Sequence, residues 1–327
     1  MNKVIESLLG KGGVPVLPIM THPGIELIGK RVLDAVTDGQ THFEAVLALR
    51  GRFPHSMAST TIMDLSMEAE AFGAQVVFEP DEVPTVTGRL LQSAADVEAL
   101  KVPSLDAGRV PEYLKANRLA AAALDQPLLG GCIGPFSLAG RLYDMTELMM
   151  AMYIEPDTAT SLLDKCTEFI IKYVSAIKAA GSAGVVMAEP ASGLLSNDDC
   201  MTYSTAYVRR IVEAVQDDTF AVVLHNCGNA GQCTEAMVAS GAAALHFGNS
   251  IDMAAVVDQV PSDIAVMGNV DPVGVMRMGT PEQVSAKVAE LLRIAEGHDN
   301  FVLSTGCDVP PASPFANIEA FYKAAGY

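Results

Sequence analysis

Basic residues are scarce in this sequence: Lys and Arg together number 21 against 39 Asp and Glu, a formal net charge of −18. With a pI near 4.6, the average surface repels polyanions, which excludes nucleic acid and anionic lipid as expected partners. Charge of either sign is also sparse, at 18%, while hydrophobic residues reach 50%. Such a chain is not disordered, and its composition suits strands buried on both faces. Long hydrophobic runs are missing too, since nothing approaches the ~18 apolar residues of a membrane span. The opening "MNKVIESLLGKGG" reaches Gly and Lys before any long apolar stretch, so no secretory leader is expected and the expected location is the cytoplasm. The six cysteines, at 132, 166, 200, 227, 233 and 307, are scattered. They fit reduced thiols or metal ligands better than a disulfide framework. There is no short repeat, no low-complexity tract and no G-x-G-x-x-G after a strand-like run.

What is present is an alternation. Short apolar runs, "VPVLPIM" (14–20), "QVVFEP" (75–80), "PLLGGCIGPF" (127–136), "GVVMAEP" (184–190), "FAVVLHNCG" (220–228), "AAALHFGN" (242–249), "IAVMGNVD" (264–271) and "NFVLSTGCD" (300–308), are separated by stretches with helical spacing. The stretches over 157–181 and 280–297 are the clearest, and the second opens on Thr280-Pro281-Glu282 and ends at Gly297. This βα alternation predicts a parallel sheet. Several of the runs end in polar groups: Glu189; His225 and Cys227; His246 and Asn249; Asn269 and Asp271; Cys307 and Asp308. Reactive groups at the C-terminal ends of strands are the signature of a (β/α)8 barrel, and one such barrel over residues 1–327, with N-terminal helical additions, is the expected architecture. A doubly wound open sheet is the alternative. The segment 100–113 reads as a surface loop, or as an excursion before the next barrel strand.

His225 and Cys227 provide two metal-competent side chains at one strand end. In a closed barrel, distant strand ends meet at one rim, so Cys307 can supply a third ligand; Cys233 is the competing candidate. One imidazole and two thiolates make an open zinc site, and soft sulfur ligands disfavour magnesium or calcium. Taken singly, His225 also reads as a hydrogen-bonded core histidine and Cys307 as a small buried hydrophobe. Cys132 and Cys166 lie in apolar runs and read as core.

The order of motifs, "MDLSMEAEAFGAQV" (63–76), "GPFSLAGRLYD" (134–144), "EPASGLLS" (189–196), "LHNCGN" (224–229), "GNVDPVGVM" (268–276) and "STGCDVPPASPFANIEAF" (304–321), resembles the uroporphyrinogen decarboxylase superfamily. Within it, the resemblance is to the cobalamin-dependent methyltransferases that pass a methyl group from a methylcorrinoid protein to coenzyme M. It implies a (β/α)8 barrel with zinc held by His225, Cys227 and Cys307, a corrinoid (methylcobalamin) donor carried on a partner protein, and a small thiol acceptor. On this reading Asp64, Glu189 and His246 are candidates for catalysis or proton handling. Arg141, Asn269, Asp271 and Arg277 are candidates for substrate contact. As structural alternatives, Asp64 caps the following helix and Glu189 pairs with an arginine such as Arg141.

Two departures stand out. The decarboxylase branch carries an Arg-rich N-terminal segment of the form R-Q-A-G-R that pairs with substrate carboxylates, whereas this chain reads "LPIMTHPGIEL" (17–27). The methyltransferase branch often has a Glu near the end of the strand after the His-x-Cys pair, whereas this chain reads "HFGNSID" (246–252). The rival functions are a porphyrinogen decarboxylase that uses Asp64 to hold pyrrole nitrogens, and a non-catalytic corrinoid- or thiol-binding protein whose zinc is closed by His246 or Cys233.

Overall fold

The computed structural model describes residues 1–10 and 14–327; the Lys11–Gly13 part of the opening segment lies outside them. Among the described residues nine strands follow in chain order: β1 (Ser59–Thr60), β2 (Gln75–Val77), β3 (Thr85–Thr87), β4 (Leu128–Ile133), β5 (Gly184–Ala188), β6 (Ala221–Asn226), β7 (Ala244–Phe247), β8 (Ala265–Val270) and β9 (Phe301–Thr305). Seven form a curled, all-parallel sheet in the order β1-β4-β5-β6-β7-β8-β9. The run at 14–20, expected as a strand, contributes an isolated parallel bridge from Val16 to Leu303. Backbone bonds continue from it to both sides: Leu17 N to Leu303 O and Met57 N to Val16 O, at 2.9 and 2.8 Å.

The run at 75–80 departs from expectation. It does not join the parallel sheet but pairs antiparallel with β3, as Val76 opposite Val86. Its residues alternate between exposed and half-buried, whereas every residue of β4 through β9 is buried. Strands covered on both faces need continuous apolar runs, and a peripheral pair does not.

The two faces of the parallel sheet bury into different clusters, as the two-residue period of a strand requires. Leu129, Val186, Val223, Ala244, Met267 and Val302 pack with Leu17 and Ile19, and with Ile5 and Leu8 of the helix Lys3–Leu9. Val185, Met187, Val222, Leu224, Leu245, Val266 and Leu303 pack outward against the helices. The longest of these, Pro156–Ala179, places Leu162, Cys166, Phe169, Tyr173 and Ile177 in that layer. It matches the expected 157–181 within two residues, Pro at its first turn setting the start. The helix Pro281–Ile294 begins with a capping box between Thr280 and Gln283. Cys132 and Cys166 are both buried in the core, as expected.

Strand packing is tight enough to demand glycine. A Cβ on Gly184 would lie 2.4 Å from Ala221 O and 2.9 Å from Leu129 Cδ2, so β5 and β6 would have to separate. Gly184→Ala is expected to destabilise the fold by about 1–3 kcal/mol, the usual penalty for overpacking, read as a lower denaturant midpoint with unchanged slope.

Candidate metal centre and the strand-end site

Ala221, Val223 and His225 point to one face of β6, and the parallel register sets His225 beside His246 of β7. Cys227 and Cys307 lie just past the ends of β6 and β9. The ligand atoms of His225, Cys227 and Cys307 all fall within 4.8 Å of one another, the one such cluster among the described residues. His225 is 1% exposed, its Nε2 has no hydrogen-bond partner, and both cysteines are half-buried free thiols. A buried imine nitrogen without a donor, beside two sulfurs, is the arrangement a soft divalent metal satisfies. The two thiols perturb each other, which lowers Cys227 to about 7 and, with burial, raises Cys307 to about 12. Cys233, the competing ligand, is directed elsewhere. Its Sγ lies 3.5 Å from the carbonyl oxygens of Ser192 and Leu195.

His246 is fully buried and contacts His225 ring to ring, Nδ1 to Nδ1 at 2.7 Å; its Nε2 meets Ser304 Oγ at 2.8 Å. Glu189, at the end of β5, accepts from the backbone N–H groups of Phe136 and Ser137 at 2.7 and 3.0 Å and from the Ser204 hydroxyl. It therefore holds the N-terminus of the helix Pro135–Tyr143, and Arg141 is not its partner. Burial raises Glu189 from 4.5 to about 7, against the pull of those donors. Asp64 is buried, with one oxygen accepting from Ser66 N and Oγ and the other from Tyr113 OH and the Arg109 guanidinium. Arg109 also bonds Glu70 Oε2 at 2.5 Å.

The remaining candidates divide. Asn269 donates to the carbonyls of Gly248 and Ile251 and so braces the segment after β7. Asp271 caps the turn Pro272–Arg277 through Val273 N and Gly274 N. Arg141 is half-buried, makes no hydrogen bond or ion pair with a described residue, and lines an open cavity with Ser137, Pro190 and Ala191. Arg277 is exposed and lines a larger cavity with His22, Lys30, Glu26, Asp81 and Glu82.

Several site residues were not anticipated. Arg109 falls in the segment expected to be a surface loop, yet it is 7% exposed. His22, 3.6 Å from Asp308, is lowered to about 4 by burial. Glu68 sits inside a quoted motif but carried no signal of its own; one oxygen accepts from Ile133 N while the other is buried without a partner.

Residues 12–326 match the family described as uroporphyrinogen decarboxylase (URO-D). The chain belongs to this family. It is 29% identical over 267 residues to the methylcobamide:CoM methyltransferase MtbA of Methanosarcina mazei, covering 80% of this chain and 77% of that one. It is 30% identical over 300 residues to the uroporphyrinogen decarboxylase of Serratia proteamaculans, covering 86% and 83%. Among solved structures, a methyltransferase from Methanosarcina mazei superposes with a TM-score of 0.89 at 24% identity, covering 99% of this chain and 97% of that one.

Burial raises Glu68 from 4.5 to about 8, with the N–H of Ile133 opposing. The unfolded chain releases this proton at lower pH than the folded one, so the contribution is full below about 4.5 and is lost as pH rises through about 8. Glu68→Gln mimics the neutral acid and should flatten that decline. Urea unfolding at pH 5 and pH 8.5 is expected to show the variant gaining on the order of 4 kcal/mol over the wild type between the two conditions.

Proposed function

We propose that this protein is a zinc-dependent methyltransferase, built as a single (β/α)8 barrel over residues 1–327. It moves a methyl group from a methylcorrinoid on a partner protein to a small thiol such as coenzyme M. The observation that carries this reading is the convergence of His225, Cys227 and Cys307 with a buried, unpartnered Nε2. On the same reading the segment at 14–20, bonded to β9 on one side and to Met57 on the other, is the stave that closes the barrel.

A zinc ion held by these three residues would supply the positive charge that keeps an acceptor thiol deprotonated near neutral pH. The protein's own groups do the rest. A closed structural site needs a fourth protein ligand, but His246 has both ring nitrogens engaged and Cys233 turns to backbone carbonyls. The set therefore stays open to a substrate sulfur, which favours an enzyme over a binding protein. Arg141, half-buried and unpaired among the described residues, is assigned to the anionic tail of the acceptor; Arg277 serves the outer, mixed-charge cavity. Glu189 and Asp64 are assigned to positioning, the first through the helix it caps and the second through Arg109. Asn269 and Asp271 shape the substrate rim by bracing the segments after β7 and β8. Leu194 and Val273, which follow the ends of β5 and β8, are exposed, and so offer apolar footing for a large donor at the sheet's C-terminal edge.

The decarboxylase reading fares worse. It needs Asp64 to receive pyrrole N–H groups, yet both oxygens already accept from Ser66, Tyr113 and Arg109. It also needs cationic clamps where this chain has Thr21-His22-Pro23. No described helix is long and apolar enough to cross a membrane, so nothing in the helices ties either reaction to a bilayer.

Purification without chelator should yield about one zinc per chain, with His225→Ala, Cys227→Ala and Cys307→Ala each losing it and Cys233→Ala keeping it. Given methylcobalamin or a methylated corrinoid protein without oxygen, the zinc-loaded enzyme should methylate small thiols as the cob(I)alamin spectrum appears. Loaded protein that transfers nothing to coenzyme M, homocysteine or related thiols would exclude the transferase.

Uroporphyrinogen, in contrast, should not be decarboxylated. Turnover at ~1 s⁻¹ or faster, within the ordinary range of enzymes, would reverse that conclusion.

A further inference from the structure

We propose that His246 and Ser304 are positioning residues that hold His225 in the tautomer whose Nε2 carries no proton, leaving that nitrogen ready for a metal. The proposal rests on reading His225 as a ligand, and it deepens that reading.

Ser304 Oγ lies 2.6 Å from Leu17 O and 2.8 Å from His246 Nε2. A carbonyl oxygen only accepts, so the single hydroxyl proton of Ser304 goes to Leu17. The serine oxygen then offers only lone pairs toward His246, whose Nε2 must carry a proton. In a neutral imidazole the other nitrogen is bare, so His246 Nδ1 is an acceptor. Nδ1 of His225 stands 2.7 Å from it, and two bare nitrogens at that distance would repel. His225 Nδ1 is therefore the donor, with the His246 carbonyl at 3.3 Å as a second, weaker acceptor for the same proton. Neutral His225 has no proton left for Nε2.

The reverse wiring fails on hydrogen bonds alone. If Ser304 donated to His246, the buried Leu17 carbonyl would lose its donor among the described residues. His225 Nε2 would then carry a buried proton with no hydrogen-bond partner assigned to it, only the sulfurs of Cys227 and Cys307 lying nearby. Both faults disappear in the forward direction. His246 is fully buried and neither of its ring partners is a carboxylate, so an imidazolium there would be an uncompensated buried charge.

The arrangement has a chemical consequence. Metal-binding histidines commonly donate their second nitrogen to a carboxylate or a backbone carbonyl. Here the principal acceptor is a neutral imidazole, itself set by a serine and by the carbonyl of Leu17. Orientation is obtained without adding negative charge beside the two sulfurs. The tautomer also depends on the N-terminal segment that flanks β9, which ties the readiness of the site to the packing of residues 15–17.

Nitrogen-15 NMR of the full-length, metal-free protein reads the tautomer directly, with His225→Gln used to assign the signals. His225 should show a protonated Nδ1 and a bare Nε2. Ser304→Ala should admit the other tautomer and weaken zinc affinity, measured by competition with a chromophoric chelator, by ~10-fold or more, the usual scale for loss of an outer partner. His246→Ala should do the same, whereas His246→Asn, whose side-chain oxygen replaces the Nδ1 acceptor, should restore most of the affinity. A protonated Nε2 in the wild type, or a Ser304→Ala protein with unchanged tautomer and affinity, would overturn the proposal. Should the wild type bind no zinc, the ligand reading falls, while the metal-free spectrum still decides the wiring by itself.

Discussion

The register between β6 and β7 is the constraint on which the site depends. Parallel pairing sets His225 beside His246, both on the face shared with Val223 and Ala244. A slip of one residue would turn His225 to the helix side and bring Asn226 inward, because side chains alternate along a strand. Cys307 adds a second requirement. β9 stands three strands from β6 in the sheet order, about 14 Å away if the sheet were flat, yet the ligand atoms lie within 4.8 Å. Curl of the sheet, together with cysteines placed just past the strand ends, closes that gap. The bonds of Val16 and Leu17 to Leu303 and Met57 continue the same curl.

Across the site the problem is different, because acidic groups are packed where water does not reach. Asp64 is stabilised by an arginine, a tyrosine and a serine, and Arg109 spans Asp64 and Glu70. Such a buried pair is stable only when its remaining hydrogen-bonding positions are filled, and here they are. Glu68 has no cation of its own and is instead pushed toward the neutral acid. Glu189 takes an intermediate course: helix N-terminal N–H groups meet its carboxylate, a favourable place for negative charge, while burial still holds it near 7. Burial thus raises Glu68 and Glu189 by different amounts, because their hydrogen-bond donors differ in number.

Much of this was legible in the sequence, and the part that was not has a common cause. Strands β4 to β9 announced themselves because burial on both faces leaves uninterrupted apolar runs, and the His-x-Cys ending of β6 stood out against such a run. The segment at 75–80 misled for the same reason: "QVVF" is apolar enough for a sheet strand, and only its partner, β3, reveals an outlying pair. Arg109 was invisible because an arginine in a Pro- and Asp-containing stretch reads as surface unless its acidic partners, 39 and 45 residues away, are known to converge there. Ser304 was quoted within a motif, but its role depends on Leu17, 287 residues distant in the chain. Local pattern reports which residues are buried. It does not report which polar groups meet once they are.

Relatives bearing the names of a methyltransferase and a decarboxylase stand at nearly equal identity to this chain, so the difference between the two chemistries lies in a few side chains and not in overall likeness. Both reactions would use the same C-terminal edge of the sheet, and they ask opposite things of it. A decarboxylase of porphyrinogens needs a free carboxylate at Asp64 and cations around it; here the carboxylate is fully engaged and the nearby N-terminal segment contributes a buried histidine, His22. A thiol methyltransferase needs soft donors with one position left open, and His225, Cys227 and Cys307 meet that need while His246 is held back by its own hydrogen bonds. The groups that make the first chemistry difficult and those that make the second possible are different side chains, although His22 and Cys307 approach through Asp308.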